Sequence, residues 1–169
     1  MLCLLAKKDY MAITITDLCQ TAKISRSTFY AHYRNLSEVV DELFDVILCH
    51  ICNYPIRNEY QSAGEPRCGL PLCRFLRAHP EYQPLFFSDA LYSQAVQHTV
   101  DALTEDFLQK MREKSDLDDA RLTDLLYYQI TGCMGVCRRN IRRNDEEWDT
   151  IQCMIDRFLQ NGFQATDTQ

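Results

Sequence analysis

Tyr92, Val96, Val100, Leu103, Phe107 and Met111 recur at intervals of four and three residues, and Leu122, Leu126, Ile130, Cys133, Cys137 and Ile141 repeat the same cadence. This spacing stacks apolar side chains on one face of a helix, whereas a half-buried strand needs strict alternation. Two further stripes, Val40–Leu43–Phe44–Ile47–Ile51 and Trp148–Ile151–Ile155–Phe158, follow the same rule. Only five glycines and five prolines interrupt 169 residues, and no segment sustains a period of two. The chain is therefore expected to be all-α, with ample length for a helical core.

The stripes set the expected elements. A short first helix covers residues 2–8. A long helix runs from about Ser37 to Tyr54, followed by a loop from Pro55 to Pro71 that contains Gly64, Pro66 and Gly69. A short helix spans Leu72 to Ala78. Ser88 is expected to open a long helix reaching Ser115, and another extends from Asp118 to Arg143. Asn144 with Glu147 three residues later has the form of a capping box for the last helix, which Gly162 is expected to end. Arg138, Arg139, Arg142 and Arg143 are expected to stabilise their helix end and to pair with Asp145, Glu146, Glu147 or Asp149.

Residues 13–38, ITITDLCQTAKISRSTFYAHYRNLSE, point to function. Thr14 is an N-cap with Asp17 three residues on, and Leu18, Ala22 and Ile24 are expected to form the buried side of a first short helix. Ser25 caps a second, in which Phe29 and Tyr33 fall four apart on one face. Arg26, Ser27, Thr28, Tyr30 and His32 are left to face outward. A short helix anchored by two rings from behind, with polar side chains in front, suits a DNA groove. Helix N-termini at Thr14 and Ser25 offer unpaired N–H groups to phosphate. Arg26 has the fork that reads guanine bidentately.

The run Ile13-Thr14-Ile15, Asp17-Leu18, Ala22 and Ile24-Ser25-Arg26-Ser27-Thr28-Phe29-Tyr30-Ala31-His32-Tyr33 resembles the helix-turn-helix of the TetR/AcrR family of bacterial transcriptional regulators. The resemblance implies a helix-turn-helix DNA-binding domain over residues 1–36 and a helical bundle over 37–169 for ligand binding and dimerisation. It implies DNA contacts by Thr14, Ser25, Arg26, Ser27, Thr28, Tyr30 and His32, and a repressor that binds a palindromic double-stranded DNA operator as a homodimer. It also implies release by a small-molecule effector inside the bundle, where Tyr82, Phe86, Phe87, Tyr92, Tyr127 and Tyr128 are the expected walls. Dimerisation is expected through the last two long helices, with Leu126, Ile130, Met134, Trp148 and Ile155 filling the interface and Gly132 and Gly135 allowing close approach. Two positions depart from the family pattern, which often has glycine where Lys23 stands and lysine where Leu36 stands.

Charge fits this reading by its distribution. Within residues 1–35, Lys7, Lys8, Lys23, Arg26 and Arg34 face only Asp9 and Asp17, a balance of +3 in a chain whose total is −6. A basic end on an acidic body can meet phosphates while the rest stays repelled from them. No apolar run approaches the roughly 20 residues needed to span a bilayer. Met1–Ala6 is too short for a signal peptide. A cytoplasmic protein without a membrane partner is expected. Its nine cysteines are then read as reduced thiols, mostly small buried apolar groups. Cys49 with Cys52, Cys133 with Cys137, and Cys68 with Cys73 and His79 are the groupings a thiol or metal sensor would use. No cofactor or resident metal is expected, and without a phosphate loop, HExxH or GxSxG motif neither is an enzyme. The alternative is a dimeric sensor or interaction module with weakened or lost DNA binding, built on those thiols.

Overall fold

A computed structural model of the chain describes residues 1–53 and 72–166; within these, the side chains of 52–53 and 160–166 are not described. Nine α-helices account for the regular structure of the described residues, which contain no strand. They are α1 (Leu2–Leu5), α2 (Ile15–Ala22), α3 (Arg26–His32), α4 (Leu36–Asn53), α5 (Leu72–Ala78), α6 (Gln83–Phe87), α7 (Tyr92–Met111), α8 (Asp119–Asn140) and α9 (Asp145–Thr166). Single 3-10 turns at Tyr10–Ala12 and Pro80–Tyr82 complete the described path. The loop expected over 55–71, with Cys68, lies outside the described residues.

Side-chain caps set most of these helix starts. Thr14 Oγ1 accepts from the Asp17 N–H at 3.1 Å, and Asp17 returns the bond to the Thr14 N–H at 2.8 Å, closing a capping box. The Glu38 N–H donates to Asn35 Oδ1 at 3.0 Å, and Glu38 accepts from the Arg34 N–H at 2.8 Å. Asp118 Oδ1 receives the Arg121 N–H, and Asn144 Oδ1 the Glu147 N–H, both at 2.9 Å. Each such cap contributes about 1 kcal/mol.

Several boundaries differ from expectation; α7 stops at Met111 instead of Ser115, and α8 at Asn140 instead of Arg143. Helix α1 ends at Leu5 instead of residue 8. Ser88 does not open α7; it closes the five-residue α6, which carries Pro84 in its first turn, and α7 begins at Tyr92 after a turn through Asp89 and Ala90. Gly162 does not end the last helix, which continues to Thr166, since one glycine inside a helix costs only about 1 kcal/mol.

A continuous apolar core runs from Leu4 and Leu5 through Ile13, Leu18 and Phe29 to Phe44, Phe86, Val96, Leu126 and Met134. The packing is unbroken across residue 36, so the N-terminal helices are built onto the same core as the long ones. Phe44 meets Phe86 edge-on at 5.3 Å in its centre. A satellite cluster of Cys73, Cys137 and Trp148 seats α9. Arg77 lies 5.0 Å over the Trp148 ring and pairs with Asp145 at 2.8 Å, while Arg74 donates to the buried Gln152. Two arginines of α5 thus tie down the start of α9. Of the four arginines expected to serve the end of α8, Arg143 pairs with Glu147 at 3.3 Å, but Arg138 turns away to Asp89 and the Tyr92 ring.

Candidate nucleic-acid interface

Helices α2 and α3 are joined by a turn whose geometry is decided at Lys23. Its backbone sits at φ 57°, ψ 40°, in the left-handed region. This closes α2 by turning the Ile24 N–H onto the Cys19 carbonyl at 3.0 Å and the Lys23 N–H onto Gln20 at 3.3 Å. A side chain in that region costs about 1–2 kcal/mol. Glycine would remove the cost but return about 0.4–1 kcal/mol of unfolded-state freedom. Lys23→Gly is therefore expected to raise stability by only about 0.5 kcal/mol, a shift of about 1–2 °C in the melting temperature measured by calorimetry.

Helix α3 has one buried side chain, Phe29, which sits behind it in the core. Tyr30 meets that ring edge-on at 5.3 Å, and Tyr33 lies 5.7 Å away. Tyr33 is half-buried and donates its hydroxyl to Glu42 on α4 at 2.6 Å, fixing the end of α3 to the following helix. This hydrogen bond to a carboxylate holds the Tyr33 phenol above its ordinary range, so the hydroxyl keeps its proton.

The other side of α3 is open. Arg26, Ser27, Thr28, Tyr30, Ala31 and His32 are all exposed, Tyr30 at 54%. Ser25 Oγ accepts the Thr28 N–H at 3.0 Å and lies within 2.8 Å of the hydroxyls of Ser27 and Thr28, a compact set at the start of the helix. Arg26 stands on the first turn beside it. His32 occupies the last turn, its ring 6.4 Å from Tyr33. Of the seven expected DNA contacts, the six from Ser25 to His32 thus share one short exposed segment. Thr14 is exposed too, but its hydroxyl donates to Asp17 at 2.6 Å.

Asp17 is the electrostatic pivot of the pair. Lys8 donates to it at 2.6 Å, and together with Thr14 holds its carboxyl far below the usual carboxylate range. Lys8 thereby ties the segment after α1 to α2, a contact that sequence spacing does not reveal. Arg26 is exposed to solvent. One expectation about α2 fails: Leu18 and Cys19 are buried, but Ala22 and Ile24 are exposed. Closing the helix at Lys23 swings Ile24 out of the apolar stripe.

The expected effector walls do not converge. Phe86 is sealed in the core against Phe44, and Tyr82 stacks on Phe75 at 5.4 Å. Phe87 packs between the core and the satellite cluster. Tyr92 lies beneath Arg138, and burial pushes its phenol above the ordinary value. Tyr127 and Tyr128 are instead on the outer surface, 48% and 63% exposed, and cannot line an internal chamber with the other four. They border an open groove of about 500 Å³ between α8 and α9, with Gly132, Val136, Ile155 and Phe158.

The expected dimer residues need a matching correction. Leu126, Ile130, Met134 and Trp148 are buried within the chain and face its own core. Only Ile155 reaches the outer face. The large apolar groups presented there are Tyr127, Tyr128 and Phe158. A Cβ added at Gly132 would meet nothing, whereas at Gly135 it would come within 3.6 Å of the Tyr92 hydroxyl.

The cysteines regroup across helices. Cys73 on α5 places its sulfur 3.9 Å from the Cys133 carbonyl, and Cys137 places its own 4.0 Å from the Cys73 carbonyl. His79, expected to accompany Cys73, instead lies tilted against the Phe75 ring at 4.4 Å and within 3.4 Å of the Glu81 carboxylate. Among the described residues no group of three His, Cys, Asp or Glu side chains has the geometry to hold a metal ion. No helix among them is long and apolar enough to cross a membrane. Compared with known protein families, curated proteins and solved structures, the chain matches none.

Proposed function

We propose that the chain is a TetR-like transcriptional regulator that binds duplex DNA through α3. The observation that carries this reading is the two-sided character of α3, with Phe29 buried behind and Arg26, Ser27, Thr28, Tyr30 and His32 exposed in front. A seven-residue helix has no stability of its own. Holding it by Phe29 and by the Tyr33–Glu42 bond leaves its outer side chains fixed relative to the core. Fixed hydroxyls and an N-terminal arginine position a helix on the phosphate backbone and allow it to read base edges. The regulator acts as a homodimer on a palindromic site, with two recognition helices about one helical turn apart. It acts as a repressor released by an effector, in line with the resemblance.

Arg26→Ala with Tyr30→Ala is expected to abolish specific binding in a gel-shift series at fixed salt on operators selected from random duplexes, with melting unchanged. Loss of the arginine alone removes about 1–3 kcal/mol of base discrimination. Unaltered affinity in the double variant would refute the proposal.

A second reading, a dimeric sensor whose head has lost DNA affinity, is favoured by the commitment of Lys8 to Asp17, which withdraws one cation from phosphate. Weak association that varies little with salt would select it, because phosphate neutralisation imposes a steep salt dependence.

A further inference from the structure

We propose that His98 is a proton-operated latch between α4 and α7, one of the contacts that join the N-terminal part of the chain to the long helices. Both nitrogens of this imidazole face carboxylates of α4: Nε2 lies 2.9 Å from Asp41 Oδ1 and Nδ1 lies 3.1 Å from Asp45 Oδ1. The two acids stand one turn apart on the same face, so the ring bridges them lengthwise. Phe44, between them in sequence and fully buried, stacks on the ring at 5.0 Å with planes 23° apart. The imidazole is thus held flat against the core and aimed along α4, while 21% of its side chain remains open to solvent protons.

This geometry distinguishes the two forms of the ring. An imidazole with one proton can donate to one aspartate only and turns a lone pair toward the other carboxylate at hydrogen-bond distance. The imidazolium donates to both, and each bond is charge-assisted. The groups facing the ring are anionic. Asp41 also accepts from Gln94 on α7, and Tyr10 lies near it with its phenol raised by burial and by that carboxylate. On the ring's own helix the next acid, Asp101, accepts from Gln97 at 2.9 Å. Across about pH 5–8, histidine is the side chain that ordinarily changes charge, whereas carboxylates ordinarily do so near pH 4. Acidification therefore adds a bond across the junction, and alkalinisation removes one.

The latch lies where it can be felt by α3. Glu42, adjacent to Asp41, receives the Tyr33 hydroxyl that fastens the end of α3. A tighter hold on Asp41 and Asp45 fixes that attachment, and a looser one lets this part of α4 move against α7. The latch itself does not depend on DNA binding, and its test reads α4 alone.

Hydrogen exchange of the α4 amides in the full chain, corrected for the intrinsic pH dependence of exchange, decides the matter. Protection around residues 41–47 is expected to be on the order of fivefold greater near pH 6 than near pH 8, the effect of one added hydrogen bond. His98→Phe keeps a ring on Phe44 but carries no proton, and should abolish this pH dependence. Asp45→Asn, whose amide can donate to a neutral ring or accept from a charged one, should flatten it and serves as the second variant if His98→Phe fails to fold. A wild-type chain with equal protection at both pH values, or either variant retaining the wild-type response, would overturn the latch.

Discussion

Phe29→Ala is expected to cost about 3–5 kcal/mol of folding stability, measured by urea denaturation of the full chain. Phe29 is 1% exposed and is the only buried side chain that α3 contributes. Its removal takes away the apolar area of a whole ring and leaves a void between α3 and the underlying core. The surroundings can do little to fill it. Tyr33 is fastened by its hydroxyl to Glu42, and Tyr30 already extends outward. A loss of this size is a large fraction of the roughly 5–15 kcal/mol that holds a typical domain together. Because the apolar core is continuous from Leu4 to Met134, the loss should appear as a lower midpoint of a single transition. Ala31→Ser, on the open side of α3, should shift that midpoint by less than about 0.5 kcal/mol. If the two variants behave alike, Phe29 does not anchor the helix and the two-sided account of α3 fails.

How much of this was legible in sequence depended on whether a signal was local. The caps at Thr14, Ser25 and Asn144 were readable because a cap and the N–H it accepts lie within three residues. The stripes were readable as helices because one face of each is covered by its neighbours. The direction in which a stripe points was not readable. Leu126, Ile130 and Met134 keep the period of an interface stripe, yet they face α7 and the core. The outward residues Tyr127, Tyr128, Met154 and Phe158 complete no stronger pattern than the buried ones do. The turn at 88–91 was misread because Ser88 is as good a helix opener as a helix closer. Its extended backbone at the end of α6 makes it the closer. The long-range pairs, Lys8 with Asp17 and His98 with Asp41 and Asp45, leave no trace in spacing, since nothing local brings them together. The front of α3 was legible as a set, and its order along one exposed segment followed from Phe29 alone pointing inward.

Tyr128→Glu combined with Phe158→Glu is expected to convert a dimer to monomers at micromolar concentration, as measured by light scattering or sedimentation, with the melting temperature of the monomer unchanged. Tyr128 and Phe158 are 63% and 65% exposed in the single chain, so neither helps to hold it together and a carboxylate at either site stays hydrated. They flank the groove between α8 and α9, where Tyr127, Ile155 and the bare backbone at Gly132 offer an apolar surface of low relief. Exposed apolar groups gathered at one groove mark a candidate contact site, and aromatic residues are common among those that dominate interface energetics. Pairing this face with its own copy would desolvate both added carboxylates. Truncating one central aromatic residue commonly costs at least 2 kcal/mol, and a buried unpaired charge adds to that. Met134→Ala behaves oppositely under this account. Its side chain is in the core, so it should lower stability by about 2–5 kcal/mol while leaving any folded chain able to associate. The contrast separates a surface role from a core role at positions only a few residues apart on α8. A double variant that remains as dimeric as the parent, or a parent that sediments as a monomer, would remove the outer face of α8 and α9 as the site of self-association.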